Sequence, residues 1–246
     1  MDNEEITILP FGEHAILVQW EALIEETILN KVIAFVHHLK SSKLFNQWEF
    51  VSSYHSLTLI NTSSSLDFRT LKKEITRLYA QTTLQESVPQ FLWELPVCYE
   101  TTYSKDLAFV AKTLQIAPEK VIELHTSAVY TLYGIGFLPG FLYLGDVPTE
   151  LQLPRRDSPR LAVPKGAVGL AGGQTGIYPK VSPGGWHLIG HCPIPLFNPL
   201  RTPPIMLQVG DKVQFKSISS AELKLIEIEN KVGIYTLKKT KINATH

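Results

Sequence analysis

Pro154–Arg160 reads P-R-R-D-S-P-R, which places Arg155, Arg156 and Arg160 on one proline-braced loop. The planar guanidinium fork donates two parallel hydrogen bonds, so such a loop suits a carboxylate or a phosphate. The same residues would also serve as a solvated surface loop, with Asp157 as a local partner. Ala171–Tyr178 reads A-G-G-Q-T-G-I-Y. A glycine-rich turn can aim backbone N–H groups at an anion, and Gln174, Thr175 and Tyr178 supply neutral donors and acceptors for an amide or carboxylate. A plain β-turn between strands is the alternative. The lysine of a G-x-x-x-x-G-K-[S/T] phosphate loop is absent, so this is not a nucleotide loop.

Gly134–Gly145 reads G-I-G-F-L-P-G-F-L-Y-L-G. Glycines interleaved with Phe137, Phe141 and Tyr143 make either a flat, apolar pocket wall or a structural corner. Ser182–Trp186 reads S-P-G-G-W, and His187, His191 and Cys192 follow it. The H-x-x-x-H-C spacing suggests zinc, but residues i and i+4 converge on a helix, and Gly185, Gly190 and Pro193 bracket this stretch. No metal is expected there. His125 closes an apolar helical stretch. It is a candidate general acid–base group, because its ordinary pKa lies near neutrality. It could equally stabilise the helix C-terminus through the dipole. No Ser-His-Asp or Cys-His set is visible in the spacing.

Positioning these groups requires two different kinds of structure. Twelve of the 15 glycines fall between Gly134 and Gly190, and twelve of the 16 prolines between Pro139 and Pro204. An ordinary α/β half is therefore followed by a loop-rich half that is mostly β. In the first half, Ile6–Leu9 and Ala15–Trp20 read as strands. Ile24, Ile28, Val32, Phe35, Val36 and Leu39 then recur at helical steps. Phe50–Tyr54 and Ser56–Ile60 read as strands, and Asp67 caps a helix that turns Phe68, Leu71, Ile75 and Leu78 inward. The order ββαββα makes a small sheet with helices on one face. Residues 1–85 form this unit, residues 86–94 a linker, and residues 95–246 the β-rich unit.

The second unit opens on a strand at Phe91–Tyr99. Two helices follow, capped at Ser104 and opened by Pro118. They imitate a DNA-binding helix-turn-helix. The charge balance argues against that reading: 23 basic and 23 acidic side chains give a net charge of zero, without the cationic surplus that phosphate binding needs. Two cysteines cannot build a disulfide framework. The acidic start lacks a signal-peptide pattern, and no apolar run is long enough to span a membrane. A cytoplasmic setting is expected.

The ordered motifs go further than any one of them. G-F-L-P-G-F at 136–141, P-R-R at 154–156, V-P-K-G-A-V at 163–168, A-G-G-Q-T-G-I-Y at 171–178, S-P-G-G-W at 182–186, L-I-G at 188–190 and L-F at 196–197 occur in sequence. Upstream stand G-E-H-A at 12–15, Y-H-S-L at 54–57, P-V-C-Y at 96–99, D-L at 106–107 and L-H-T at 124–126. Together they resemble the KipI/allophanate hydrolase subunit 1 family. The chain departs from the pattern at Leu142 and Asp146, and its Lys-rich tail after about Ser219 matches no motif.

The resemblance implies an α+β protein, with a ferredoxin-like N-terminal domain followed by a cyclophilin-like β-barrel. It implies a subunit that works beside a sister barrel subunit and an ATP-using subunit. Their reaction would be the ATP-dependent ring opening of 5-oxo-L-proline to L-glutamate, with ATP consumed through the partner and no cofactor bound by this chain. The same family also implies two alternatives: a protein inhibitor of a sensor histidine kinase, or a carboxyltransferase-like subunit acting on a urea-derived amide. In the first reading, Phe137, Arg155, Arg156, Gln174, Tyr178 and Trp186 bind substrate and His125 moves a proton. All seven would then approach one cleft.

Overall fold

The computed structural model describes residues 6–61, 67–83 and 90–242. They form two compact units, divided between Pro89 and Gln90. The first carries β1 (Thr7–Pro10), β2 (Ala15–Gln19), α1 (Glu26–Ser41), β3 (Glu49–Ser53), β4 (Ser56–Ile60) and α2 (Phe68–Ala80). Its strands lie in the antiparallel order β1-β2-β4-β3. Strand residues alternate between faces. Ile16 and Val18 of β2 and Leu57 and Leu59 of β4 therefore share one buried side, where Val32, Phe35 and Leu39 of α1 and Ile75 and Leu78 of α2 meet them. Both helices thus cover one face, the layering expected of this half. Asp67 caps α2, accepting from Thr70 N at 3.3 Å. Ile24 is a correction: α1 begins at Glu26, and Ile24 is exposed ahead of it instead of belonging to its inward face.

The second unit carries β5 (Gln90–Cys98), α3 (Leu107–Leu114), α4 (Pro118–Ser127), β6 (Tyr130–Ile135), β7 (Leu142–Leu144), β8 (Arg160–Val163), β9 (Ala167–Ala171), β10 (Gln174–Ile177), β11 (Ser182–Gly184), β12 (His187–His191), β13 (Lys212–Ile218), α5 (Ser220–Val232) and β14 (Lys239–Ile242). Seven strands run in the order β6-β13-β5-β12-β9-β10-β7, and β7 pairs back onto β6. The sheet therefore closes into a barrel. Its interior is filled by Leu95, Val97, Leu132, Leu144, Val168, Leu170, Ile177, Ile189, Val213 and Phe215, all fully buried. The closed seven-stranded barrel and its helices make the protein α+β, as the family resemblance implies.

Two expectations are corrected, and one unread segment is resolved. Residues 86–89 of the expected linker lie outside the described residues, but Gln90–Glu94 belong to β5. Leu92, Trp93 and Glu94 there pair in parallel with Lys212, Val213 and Gln214. The barrel thus starts at Gln90 instead of residue 95. Ser104 does not cap α3: its hydroxyl donates to Glu100 O, and Asp106 is the N-cap residue. The tail after Ser219, unreadable by motif, folds as α5 and β14. Ser219 and Glu222 form a reciprocal capping box at the start of α5, and β14 pairs antiparallel with β5.

Candidate functional site

Tight backbone geometry on the outer side of the barrel creates a floor of aromatic rings. On β9 and β10, Val168, Leu170, Thr175 and Ile177 point inward, so Ala167, Gly169, Ala171, Gly176 and Tyr178 face out. Phe141, Tyr178 and Trp186 pack on this side with Val163, Ala167, Ala171 and Leu188, in a cluster separate from the interior core. Phe141 is its hub. Its ring centroid lies 5.2 Å from Tyr178, 5.4 Å from Trp186 and 4.9 Å from Tyr143. The first two contacts are edge-on, the arrangement that ring quadrupoles favour.

Glycine is required where the rings come closest. A Cβ at Gly176 would meet Leu142 O at 2.6 Å and the Trp186 ring at 3.1 Å. A Cβ at Gly184 would meet Tyr178 Cε1 at 2.8 Å. The glycines of A-G-G-Q-T-G-I-Y and S-P-G-G-W therefore let aromatic rings lie against backbone. Gly172 has φ +58° and turns the β9–β10 hairpin.

Phe137 stands beside the floor. Its φ is +62°, and Leu138 N donates to Gly136 O at 2.7 Å across it, which closes a three-residue γ-turn of the positive-φ kind. Gly136 N to Phe141 O and Phe141 N to Leu138 O brace the same loop. The Phe137 side chain is 61% exposed and meets Phe141 edge-on at 5.6 Å. Arg155 completes the group, with its guanidinium 6.0 Å from the centre of the Trp186 ring. Burial raises the pKa of the Tyr143 and Tyr178 phenols. The Arg155 charge opposes that shift at both, and the Trp186 backbone N–H opposes it further at Tyr178.

The structure therefore brings together Phe137, Arg155, Tyr178 and Trp186. It adds Tyr143, which the sequence marks only as part of an apolar wall. The other three expected residues are elsewhere. Arg156 belongs to an ion-pair lock. Asp106 is buried, and its carboxylate takes Arg160 Nη2 at 2.7 Å, Arg156 Nη1 at 3.4 Å and the backbone N–H of Leu188 at 2.7 Å. Asp157 is not the partner of these arginines. Gln174 shares the outward face of β10 with Tyr178, but four residues, ~13 Å of strand, separate the two.

His125 is a clear correction. It lies inside the barrel end, completely buried, stacked on Phe215 at 4.4 Å. Tyr99 Oη is 2.7 Å from Nδ1, and Thr175 Oγ1 is 3.0 Å from Nε2. Thr175 spends its single hydroxyl proton on Gly169 O at 2.9 Å, so towards His125 it can only accept. Nε2 thus carries the ring proton, and Nδ1 accepts from Tyr99. Burial lowers the His125 pKa to about 3. With both nitrogens committed and no exposed edge, His125 is a core hydrogen-bonding group and not a proton carrier at the aromatic floor. His187 and His191 also serve separate neighbours. His187 Nε2 faces Pro154 O at 3.0 Å, while His191 Nε2 lies 3.9 Å from Glu227. Burial pushes the Cys192 thiol up to about 12.

The fold and this arrangement of motifs have counterparts. The family described as carboxyltransferase domain, subdomain C and D, matches residues 6–207. The chain belongs to this family. That membership agrees with the resemblance carried by the motifs. The 5-oxoprolinase subunit designated B in Bacillus subtilis (strain 168) is 35% identical over 221 residues, covering 86% of this chain and 92% of that protein. Its namesake in Haemophilus influenzae is 38% identical over 210 residues, covering 85% and 97%. Among solved structures, TTHA0988 matches with a TM-score of 0.72 and 31% identity over 84% of this chain, which spans only 40% of that longer protein. Kluyveromyces lactis urea carboxylase matches with a TM-score of 0.78 over 96% of this chain and 24% of its own. At 19% identity that likeness speaks for the fold alone. Among the described residues, no helix is long and apolar enough to cross a membrane, and no cluster of side chains is arranged to hold a metal.

Proposed function

We propose that this chain is the barrel subunit of an ATP-dependent 5-oxoprolinase that opens 5-oxo-L-proline to L-glutamate in the cytoplasm. The observation that carries this reading is its match, over more than nine-tenths of their length, to 5-oxoprolinase subunits designated B. The chemistry is consistent with a divided enzyme. A lactam carbonyl is a poor electrophile, and its nitrogen is a poor leaving group. Transfer of a phosphoryl group from ATP to the lactam oxygen activates the carbon. Water then adds to that carbon, the ring C–N bond breaks with a proton going to the amine, and a second water displaces phosphate from the resulting acyl phosphate to leave the carboxylate. The phosphoryl donor is assigned to a separate ATP-using subunit, because this sequence carries no phosphate loop of the G-x-x-x-x-G-K-[S/T] kind.

The role of this chain is to hold substrate or activated intermediate at the outer barrel face, where Phe137 and Arg155 are exposed, beside a sister subunit of similar architecture. The test is reconstitution with the two partner subunits and a glutamate-release assay. Release that needs ATP and all three polypeptides is the expected result. Release by this chain alone, or none from the assembled complex, would contradict the reading.

A further inference from the structure

We propose that α5 carries a docking surface for a second copy of this chain, in which two α5 helices pair side by side and parallel about a twofold axis.

α5 is apolar on two opposite faces. Leu223 and Ile226 are buried, the latter within the main core of this unit, and Asn230 Nδ2 donates to Pro193 O at 3.4 Å from the same side. The other face carries Ala221, Leu225, Ile228 and Val232, spaced four, three and four residues apart. All four are exposed, Leu225 by 55%, Ile228 by 58% and Val232 by 65%. At 3.6 residues per turn, the two sets lie roughly 180° apart. A surface helix ordinarily sets charged and polar residues opposite its buried stripe. Here the outward stripe has instead the alternating four- and three-residue spacing of a helix-pairing seam.

The helix needs no partner to form. The Ser219–Glu222 capping box starts it, Gly233 at φ +76° ends it, and its inward face is already packed. The seam is thus preformed, which removes the ordering cost that makes an isolated helix of this length marginal. It also lies past the family match, which ends at residue 207.

The flanking charges identify the partner. Lys224 and Lys231 run along one edge of the stripe, Glu222 and Glu229 along the other. Glu222 is taken up by the capping box. Among the described residues, Lys224, Lys231 and Glu229 form no ion pair. Two parallel copies set the lysine edge of each helix against the glutamate edge of the other. Lys224 then faces the partner's Glu229, five residues further along, and symmetry makes the contact twice. Antiparallel copies would set lysine against lysine and glutamate against glutamate. The seam is therefore self-complementary in one orientation. A lipid surface or a nucleic acid would favour cations along both edges. Each barrel lies on the far side of its own helix from the seam, so the second copy has room. One short seam is a small interface, which makes the association concentration-dependent and not obligate.

The test is sedimentation velocity of the full chain over a wide concentration range, at low and high salt. A reversible monomer–dimer equilibrium that weakens with salt is expected, because the edge pairs are exposed. Ile228→Lys should raise the dimer Kd roughly tenfold or more, by setting two ammonium groups against each other at the seam. Its melting curve at dilute concentration should match the parent's, since the position is exposed. Lys224→Glu should weaken the dimer roughly threefold to tenfold at low salt. Combining it with Glu229→Lys should recover the dimer, because the two edges are exchanged and still opposite in charge. A chain that stays monomeric at every concentration, association untouched by Ile228→Lys, or a double variant no better than Lys224→Glu overturns the assignment. So does a chain that is monomeric alone yet needs Ile228 to join a different protein, since the seam would then belong to that partner.

Discussion

His125 Nε2 lies 3.0 Å from Thr175 Oγ1, and the Thr175 hydroxyl proton is already committed to Gly169 O. This contact sets the tautomer of the histidine and makes its neutral form part of the folded state. Replacing the imidazole would strand the Tyr99 hydroxyl on one side and Thr175 on the other. His125→Ala is expected to cost about 2–4 kcal/mol of stability through the cavity and the orphaned polar groups.

The same contact predicts a pH dependence of stability. The folded His125 takes a proton only near its lowered value of about 3, whereas the unfolded chain takes one at about 6.5. Between those values the unfolded state binds more protons, so stability rises with pH. The contribution is fully present above about pH 6.5 and is lost as pH falls towards 3, at up to about 1.4 kcal/mol per pH unit. Urea midpoints measured from about pH 7.5 down to 5 should therefore fall more steeply for the parent than for His125→Gln. Parallel pH profiles for the two proteins would contradict the buried, neutral assignment.

The lock around Asp106 should show itself in stability before it shows in activity. Asp106→Ala removes one carboxylate from two arginines and a backbone N–H and is expected to cost about 3–5 kcal/mol. Arg160→Ala should cost more than Arg156→Ala. The Arg160 contact is 2.7 Å against 3.4 Å, and its side chain is 22% exposed against 30%. Denaturation curves of the two single variants give the order directly, and a larger loss from Arg156→Ala would reverse it.

Gly176 tests the floor from beneath. The carbonyl of Leu142 is backbone and cannot swing away from a new Cβ, unlike the far end of a flexible side chain. Gly176→Ala is expected to cost about 1–3 kcal/mol by overpacking. It should also weaken ligand binding, since the Trp186 ring would have to move. Normal stability with normal binding would mean that β7 and β10 separate more easily than their pairing indicates.

The layers of the fold were legible in residues such as Ile16, Val18, Leu57 and Leu59, because strict alternation leaves one buried face and periodicity reports it. Asp67 was legible as a cap because its reach is local. Long-range partners were not legible. Asp106 is fifty residues from Arg156 in the chain, and nothing near it in sequence marks it as the charge that arginine answers. Asp157, adjacent to Arg156, was the nearer choice and the wrong one. His125 was misplaced for a related reason. A histidine ending an amphipathic helix reads as polar and exposed until the helix is seen to turn that face onto the barrel core. Tyr143 lies within an apolar run, where nothing local distinguishes its hydroxyl from the neighbouring rings. The α5 capping box, Ser219 with Glu222, is by contrast a local signal, legible from the S-x-x-E spacing alone.

Phe137 allows strain and function to be tested apart. A bulky residue at φ +62° sits in a region that costs an L-residue about 1–2 kcal/mol, whereas glycine adopts it freely. Outliers of this kind persist where the surrounding structure holds them and where presentation of the side chain matters. Phe137→Ala removes the ring and keeps the strain. Phe137→Gly removes both. The two variants should therefore bind substrate equally poorly, while the glycine variant is the more stable by about 1 kcal/mol. The ring is mostly exposed, so neither variant should lose much core packing. Paired melting and binding measurements decide the matter. If the alanine variant is the more stable of the two, the turn is not strained. If both bind as the parent does, the exposed ring has no part in holding substrate.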